Sequence, residues 1–311
     1  LQKLDDLKLA DDTLVIFMTD NGPQQTRYVA GMRGRKGSVF RGGVRVPFYL
    51  RYPNKWRGNQ DIETTSAHIY VLPTLSEICN VKLPDDRKID GRNLVPLIEG
   101  EEIPWEDRPL FFYWTRRYPE LYQNMALQKG PYKLVGHTDY NAQIADFELF
   151  NIKDDPYEEN NLLPLGKDRA ISLKKEMDIQ YNELIASTNL IDPPRIQIGS
   201  VAENPVFLNR NDADGERGIW DQEEIYGKWN VAIAQGSYDI KFKFIKPLAK
   251  GGKMYLETGG RINQMQNKVD NATVIGMPNI ALPKMNCEFI PFYKLGNKKI
   301  FPFWVEIHKI N

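Results

Sequence analysis

The first half of the chain alternates between helix-like and strand-like patterns of apolar residues. Leucines at helical spacing in the first seven positions, with no capping residue before them, predict a helix that the chain enters partway and that runs through Ala10. The continuous apolar run "TLVIFMT" predicts a buried strand in a sheet covered on both faces. "VRVPFYLRYP" predicts a second strand, and "TTSAHIYVLPTLSEICNV" predicts a helix capped near Thr65 or Ser66. This alternation is typical of the α/β class.

Shorter strands replace this pattern from about residue 109. They are contained in "RPLFFYW", "NMALQKGPYKLVGH" and "DFELFNI". An acidic turn and then a charged helix over roughly 166–187 follow them. We therefore predict a small antiparallel sheet subdomain over about 109–187.

A second change of pattern falls near residue 190. Residues 188–205 read as a linker, because Pro193, Pro194 and Pro205 interrupt any regular element. Beyond them, short aromatic strands alternate with Gly, Pro and Asn turns, at a spacing that fits a β-sandwich. The predicted organisation is an α/β domain over 1–190 and a β-sandwich accessory domain over 191–311.

Composition narrows the classes of partner. The 311 residues contain 41 Lys plus Arg and 41 Asp plus Glu, so no general field attracts nucleic acid or an anionic membrane. No apolar run approaches the roughly 20 residues that span a bilayer. We predict no nucleic-acid partner and no membrane span. Cys79 and Cys287 lie far apart in apolar surroundings, which predicts small core residues rather than a disulfide.

The first candidate chemistry follows the "TLVIF" strand directly, at Asp20 and Asn21. Ligands of open α/β sheets bind beyond the carboxyl ends of the strands, where this pair falls. Carboxylate and carboxamide oxygens suit calcium or magnesium better than zinc. Asn-Gly is also a common turn dipeptide, so a simple turn is the alternative.

The second candidate site is the loop "GMRGRKGS", in which Arg33, Arg35 and Lys36 lie among glycines. Glycines allow close approach of the backbone to a ligand, and the cations favour an anion. Gly37 follows the lysine, which excludes a Walker loop. A solvated basic loop is the alternative.

Five blocks of the chain resemble a known family. They are "LADDTLVIFMTDNGP", "GMRGRKGSVFRGGVRVPFYLRYP", "SAHIYVLPTLSEICNV", "IDGRNLVPLIEG" and "PYKLV…FELFNIKDDPYEENNL". Together they look like consecutive blocks of the formylglycine-dependent sulfatases, of the alkaline-phosphatase superfamily, over roughly residues 1–165. The resemblance implies the C-terminal part of that family's doubly wound sheet with its small antiparallel sheet. The last domain resembles an appendage of some bacterial arylsulfatase-like proteins.

The resemblance also implies roles for individual residues. Asp20 and Asn21 match the pair that binds the family's calcium, or in some members magnesium. Lys36 matches the catalytic lysine that binds the sulfate oxygens and neutralises the leaving alkoxide. Arg33 falls in the same block, either as a substrate contact or as a brace of the backbone. His68 is predicted to be a core or surface histidine.

Asn21 favours sulfate over phosphate chemistry. The two-metal phosphatases of the superfamily usually place histidine after the aspartate, because imidazole suits zinc. An amide at this position favours one hard cation.

The chain departs from the family pattern at the nucleophile and at two further positions. The family makes its formylglycine from the Cys or Ser of a Cys/Ser-x-Pro-x-Arg motif, and neither Cys79 nor Cys287 fits it. The nucleophile and the remaining metal ligands are expected in an N-terminal half that would precede Leu1. Arg41 stands where the family usually has glutamate, and Tyr70 where aspartate is common.

The sequence therefore predicts a sulfuric ester hydrolase acting on a sulfated glycan or aryl compound. The chain alone is expected to be inactive, and the whole protein to be periplasmic or secreted, as is common for bacterial sulfatases with such appendages. One alternative is a phosphate or phosphonate ester hydrolase of the same superfamily. Another is a non-enzymatic protein whose β-domain binds glycan, which exposed rings such as Trp220, Trp229 or Trp304 would favour.

Overall fold

The computed structural model describes residues 1–25, 28–115, 118–215 and 226–310. These residues form two compact units, Leu1–Ile191 and Asp192–Asn311. No helix among them is long and apolar enough to cross a membrane.

The first unit opens with a short helix and a two-stranded sheet. Helix α1 (Gln2–Asp6) ends earlier than predicted, because the backbone at Lys8 turns through a positive φ of 58°. Strand β1 (Val15–Met18) pairs antiparallel with β2 (Phe48–Arg51). These two strands have no other partner within the described residues, so β1 is less covered than its apolar run predicts. Phe17 is 60 % exposed, and its ring lies 6.2 Å from that of Tyr49.

Three short helices follow, and they are α2 (Arg41–Val44), α3 (Val71–Ile78) and α4 (Val95–Ile98). Helix α3 begins later than predicted, after a 3₁₀ turn at His68–Tyr70, and no side chain caps it. Pro73 lies in its first turn, where a missing N–H costs no helical hydrogen bond. Cys79 at the end of α3 is exposed, so its prediction as a core residue is wrong.

The small antiparallel sheet is present as predicted. Its four strands pair in chain order and are β3 (Leu110–Tyr113), β4 (Met125–Lys129), β5 (Tyr132–Gly136) and β6 (Glu148–Asn151). Helix α5 (Lys167–Ile185) buries Ala170, Leu173 and Met177 in the core that this sheet contributes to. Helix α6 (Thr188–Ile191) ends the unit.

The second unit is built from two sheets. Its strands are β7 (Ile196–Ile198), β8 (Val206–Asn209), β9 (Asp214–Gly215), β10 (Gly227–Ile233), β11 (Gly236–Leu248), β12 (Lys253–Thr258), β13 (Arg261–Gln266), β14 (Ala272–Leu282), β15 (Met285–Leu295), β16 (Lys298–Ile300) and β17 (Trp304–Lys309). One sheet has the order β13-β12-β15-β10-β7, with β16 beside β15 and β9 beside β10. The other has the order β14-β11-β17-β8. Residues of both sheets share one hydrophobic core, as in a β-sandwich.

Two sequence expectations need revision in this unit. The predicted linker contains β7, which pairs parallel with β10. Along β7 the side chains alternate: Ile196 and Ile198 are on the inner side and Gln197 is exposed. Trp229 lies in the core, fully buried, and its Nε1 donates a hydrogen bond to the carbonyl of Asn209 at 2.9 Å. Trp229 therefore cannot be a surface platform, and Trp220 lies outside the described residues.

Candidate active site

The turn that carries Asp20 and Asn21 is fixed by the glycine after it. The amide of Gly22 donates a hydrogen bond to the carbonyl of Gly43 at 2.8 Å. A Cβ at position 22 would lie 1.8 Å from the carbonyl oxygen of Gly42, which no side chain tolerates. The two backbones approach this closely because both segments have glycine at the contact.

The glycine-rich loop lies along this turn. The amide of Lys36 donates to the carbonyl of Pro23 at 3.1 Å, and the amide of Gly42 donates to that of Arg33 at 2.7 Å. Pro23 is separated from Asp20 by roughly 10 Å of chain at most. The backbone that carries Lys36 is therefore held next to the segment that carries Asp20.

Three predicted side chains in this region have no protein partner among the residues that the structure describes. Asp20 and Lys36 are exposed and Asn21 is half-buried. Within the described part of the chain, none of the three side chains makes a hydrogen bond or an ion pair. Their polar atoms are consequently available to a ligand. His68 lies beside them, with its Nε2 2.7 Å from the carbonyl oxygen of Thr19, and so holds the start of the turn.

Arg33 is engaged by the protein. Its Nη1 lies 3.0 Å from Oε1 of Glu148, and its guanidinium carbon lies 3.8 Å from the centre of the Phe40 ring. These contacts join the glycine loop to strand β6. They favour the bracing role of Arg33 over a substrate contact.

We expect the Arg33–Glu148 pair to contribute little to stability. Its side chains are 42 % and 29 % exposed, so solvent screens the attraction. A double-mutant cycle with Arg33→Ala and Glu148→Ala should give a coupling free energy of about 0.5 kcal/mol in chemical denaturation. Arg35→Ala, at a neighbouring exposed arginine, is the matched control and should leave the free energy of unfolding nearly unchanged. A coupling of zero would show that the pair does not brace the loop.

A buried ion pair links the glycine-rich loop to the small antiparallel sheet. Lys133 and Glu158 have fully buried side chains, and Nζ of Lys133 lies 2.6 Å from Oε1 of Glu158. Oε2 of Glu158 accepts a hydrogen bond from the amide of Arg41 at 2.6 Å. Burial lowers the pKa of the Lys133 ammonium, and the adjacent Glu158 carboxylate opposes that shift. Glu158 thus joins strand β5 to the first residue of helix α2, at the end of the glycine loop.

Asn124 holds the middle of the same loop. Its Nδ2 donates to the carbonyl of Gly37 at 2.9 Å, and its Oδ1 accepts from the amide of Val39 at 3.3 Å. Sequence reasoning missed Asn124, Lys133 and Glu158. Lys133 and Glu158 carried a signal, because they lie in the family-like block "PYKLV…FELFNIKDDPYEENNL", whereas Asn124 carried none.

The two departures from the family are accommodated by packing. Nη1 of Arg41 donates to the carbonyl of Ile152 at 3.0 Å, and burial lowers the pKa of its guanidinium. Tyr70 is buried, with its ring 6.1 Å from that of Trp105.

The donor set limits which metal this region could hold. No group of three or more His, Cys, Asp or Glu residues suited to a metal ion occurs in the described ranges. Asp20 and Asn21 offer one carboxylate and one carboxamide, both hard oxygen donors. These residues fit a shared calcium or magnesium site whose other ligands come from elsewhere.

Comparison with known proteins finds similarity to sulfatases. Residues 35–187 match the family model described as N-sulphoglucosamine sulphohydrolase, C-terminal. Human steryl-sulfatase is 28 % identical over 210 residues, which cover 57 % of this chain and 36 % of that protein. The ulvan-active sulfatase of Formosa agariphila is 30 % identical over 195 residues, covering 60 % of this chain and 35 % of that protein.

A solved structure shows the same fold. The crystal structure of Ps i-CgsB aligns with a TM-score of 0.50 at 23 % identity, covering 58 % of this chain and 39 % of that one. The chain thus spans little more than a third of the length of these relatives. The family match and these relatives together support a C-terminal sulfatase portion in this chain, with residues 35–187 similar to the C-terminal part of that family.

Proposed function

We propose that the full-length protein hydrolyses sulfate esters, and that this chain supplies the metal ligands Asp20 and Asn21 and the sulfate-binding lysine Lys36. One observation carries the proposal. The hydrogen bonds from Gly22 to Gly43 and from Lys36 to Pro23 hold two polar segments together, while the three functional side chains have no protein partner in the described ranges.

The chemistry of the reaction suits these groups. Cleavage of a sulfate ester accumulates negative charge on the sulfate oxygens and on the leaving oxygen. The ammonium of Lys36 would bind a sulfate oxygen and neutralise the leaving alkoxide. Asp20 and Asn21 would hold a calcium or magnesium ion, which supplies Lewis-acid polarisation of the sulfate.

The nucleophile is proposed to come from outside this chain. The sequence contains no Cys/Ser-x-Pro-x-Arg motif, so the formylglycine and the remaining metal ligands are assigned to an N-terminal half of the protein. The exposed rings of Phe17 and Tyr49 on the β1–β2 sheet would pack against that half. We further propose a periplasmic or secreted location for the whole protein.

The substrate is proposed to be a sulfated glycan or an aryl sulfate. The amide of Asn21 supports sulfate over phosphate, because zinc phosphatases prefer imidazole at that place. A glycan is supported by the similarity to the ulvan-active sulfatase, a name that describes that relative alone.

The metal ligand provides the test. Asp20→Ala in the full-length protein should weaken calcium binding on the order of a hundredfold, because a charged oxygen ligand is lost. Calorimetric titration of the metal-free protein with calcium measures this. Asp11→Ala, at another exposed aspartate, is the control and should leave calcium affinity unchanged.

Release of product from 4-nitrophenyl sulfate and from 4-nitrophenyl phosphate should be measured in parallel on the same samples. Unchanged calcium affinity in Asp20→Ala would remove Asp20 from the metal site. Faster hydrolysis of the phosphate ester would instead favour the phosphatase alternative.

A further inference from the structure

Two stacked aromatic rings lie on the outer face of the larger sheet in the second unit. Tyr255 on β12 is directly opposite Phe292 on β15. Their rings stack with centroids 5.1 Å apart and planes inclined by 11°. The neighbours Met254 and Leu256 point into the core, so both rings lie on the outer side, where they are half-buried.

Three lysines form a row beside these rings. Lys253 is directly opposite Lys294, and Lys294 is directly opposite Lys299 on the next strand. Residues opposite each other in antiparallel strands point to the same face, about 5 Å apart at Cβ. All three lysines are exposed. The row therefore places three positive charges side by side on three neighbouring strands.

The row of lysines is an exception to the pairing of opposite charges that is seen elsewhere in the second unit. Like charges directly opposite each other destabilise a sheet, whereas opposite charges stabilise it. Lys241 faces Glu306 across its strand pair at 2.8 Å, and Lys228 pairs with Glu288. No carboxylate of the described residues pairs with Lys253, Lys294 or Lys299.

The row is also poorly neutralised by its surroundings. The first acidic residue along β12 on this face is Glu257, roughly 13 Å from Lys253. Uncompensated local charge of this kind is expected where a ligand provides the counter-charge.

The lysines and the rings belong to one surface. Nζ of Lys299 lies 4.5 Å from the centre of the Phe292 ring, a cation–π contact that joins the row to the aromatic pair. A ligand on this face would meet ammonium groups and the exposed side of a stacked aromatic pair at the same time. The formal net charge of the chain is zero, so the attraction for an anion is local to this face.

We propose that this face, defined by Tyr255, Phe292, Lys253, Lys294 and Lys299, binds a sulfated polysaccharide. Sulfate oxygens accept hydrogen bonds from the lysines, and apolar C–H groups of a sugar ring contact the exposed side of the aromatic pair. A polymer of this kind presents both chemistries in alternation. The inference concerns the second unit alone and holds whether or not the first unit takes part in sulfate-ester hydrolysis.

The test is binding by the 311-residue chain, which needs no hydrolysis. Heparin should bind in calorimetric titration, and chemically desulfated heparin should bind at least tenfold more weakly. Affinity for heparin should also fall as salt is raised, because exposed charges are screened. Lys294→Gln, at an exposed position in the centre of the row, should weaken heparin binding on the order of tenfold. Lys284→Gln, at an exposed lysine next to the opposite end of strand β15, is the matched control and should bind heparin normally.

A second variant separates stacking from charge. Phe292→Leu keeps an apolar side chain and the lysines, and should weaken heparin binding severalfold while circular dichroism stays unchanged. Equal affinity for desulfated heparin, or normal binding by Lys294→Gln, would overturn the proposal. Tighter binding of single-stranded DNA than of heparin would also overturn it, in favour of a nucleic-acid surface.

Discussion

Replacing Lys36 by alanine in the full-length protein is expected to lower kcat for sulfate-ester hydrolysis on the order of a hundredfold or more. The physical reason is the loss of one preorganised positive charge from the place where negative charge develops. The backbone of Lys36 is held by Pro23 and its neighbour Gly37 by Asn124, so the loop should keep its shape in the variant. Steady-state sulfate release from 4-nitrophenyl sulfate measures the effect.

Two controls accompany this prediction. Arg35→Ala removes the adjacent exposed cation and should change kcat much less, because only position 36 is assigned to the sulfate. The 311-residue chain by itself should release no sulfate above background, because stabilising groups without a nucleophile leave only a small residual rate. Normal turnover by Lys36→Ala, or clear activity of the chain alone, would contradict the assigned roles.

Glu158→Ala is expected to cause a large loss of stability in the first unit. It leaves the ammonium of Lys133 fully buried without a partner, and it removes the acceptor of the Arg41 amide. Breaking a buried ion pair from one side typically costs about 3–5 kcal/mol. Urea denaturation gives the loss, and hydrogen exchange of residues 33–43 and 125–136 shows whether it falls on the loop and the sheet beneath it.

Glu176→Ala provides the comparison for this variant. Glu176 pairs with Lys129 of the same small sheet at 2.7 Å, but the two side chains are 26 % and 40 % exposed. Its loss should cost about 1 kcal/mol or less, since solvent replaces the missing partner. Equal destabilisation by the two variants would mean that the buried pair does not stabilise the loop.

The parts of the fold that follow from local pattern were predictable. The small sheet and helix α5 came from alternation and length, and the strands of the second unit came from aromatic alternation between turns. Lys133 shows the limit of this reasoning. A lysine in a strand reads as solvent-facing, and its partner Glu158 is 25 residues away at a left-handed backbone position, which no local pattern specifies.

Sequence reasoning could propose the residues of the candidate site but not the contacts that support them. Asp20, Asn21 and Lys36 were proposed because hard oxygens and a glycine-flanked lysine suit a known chemistry. Asn124 was not found, since its contacts with Gly37 and Val39 depend on tertiary packing between segments far apart in the chain. The aromatic and lysine face of the second unit required strand register, because the pairing of Lys253, Lys294 and Lys299 exists only across three strands.

The two-stranded sheet has a consequence for how Asp20 and Asn21, the proposed metal ligands, become ordered. An isolated pair of strands has marginal cooperativity, so β1 and the turn after it lie at the low end of local unfolding free energies in the first unit. The glycine loop, by contrast, rests on the buried core of the small sheet. The backbone of Lys36, the proposed sulfate-binding residue, is therefore positioned in advance, whereas the turn at Asp20 and Asn21 is held by the amide of Gly22 and the side chain of His68. The turn at Asp20 and Asn21 loses its remaining conformational entropy only when further strands extend the two-stranded sheet on which it rests.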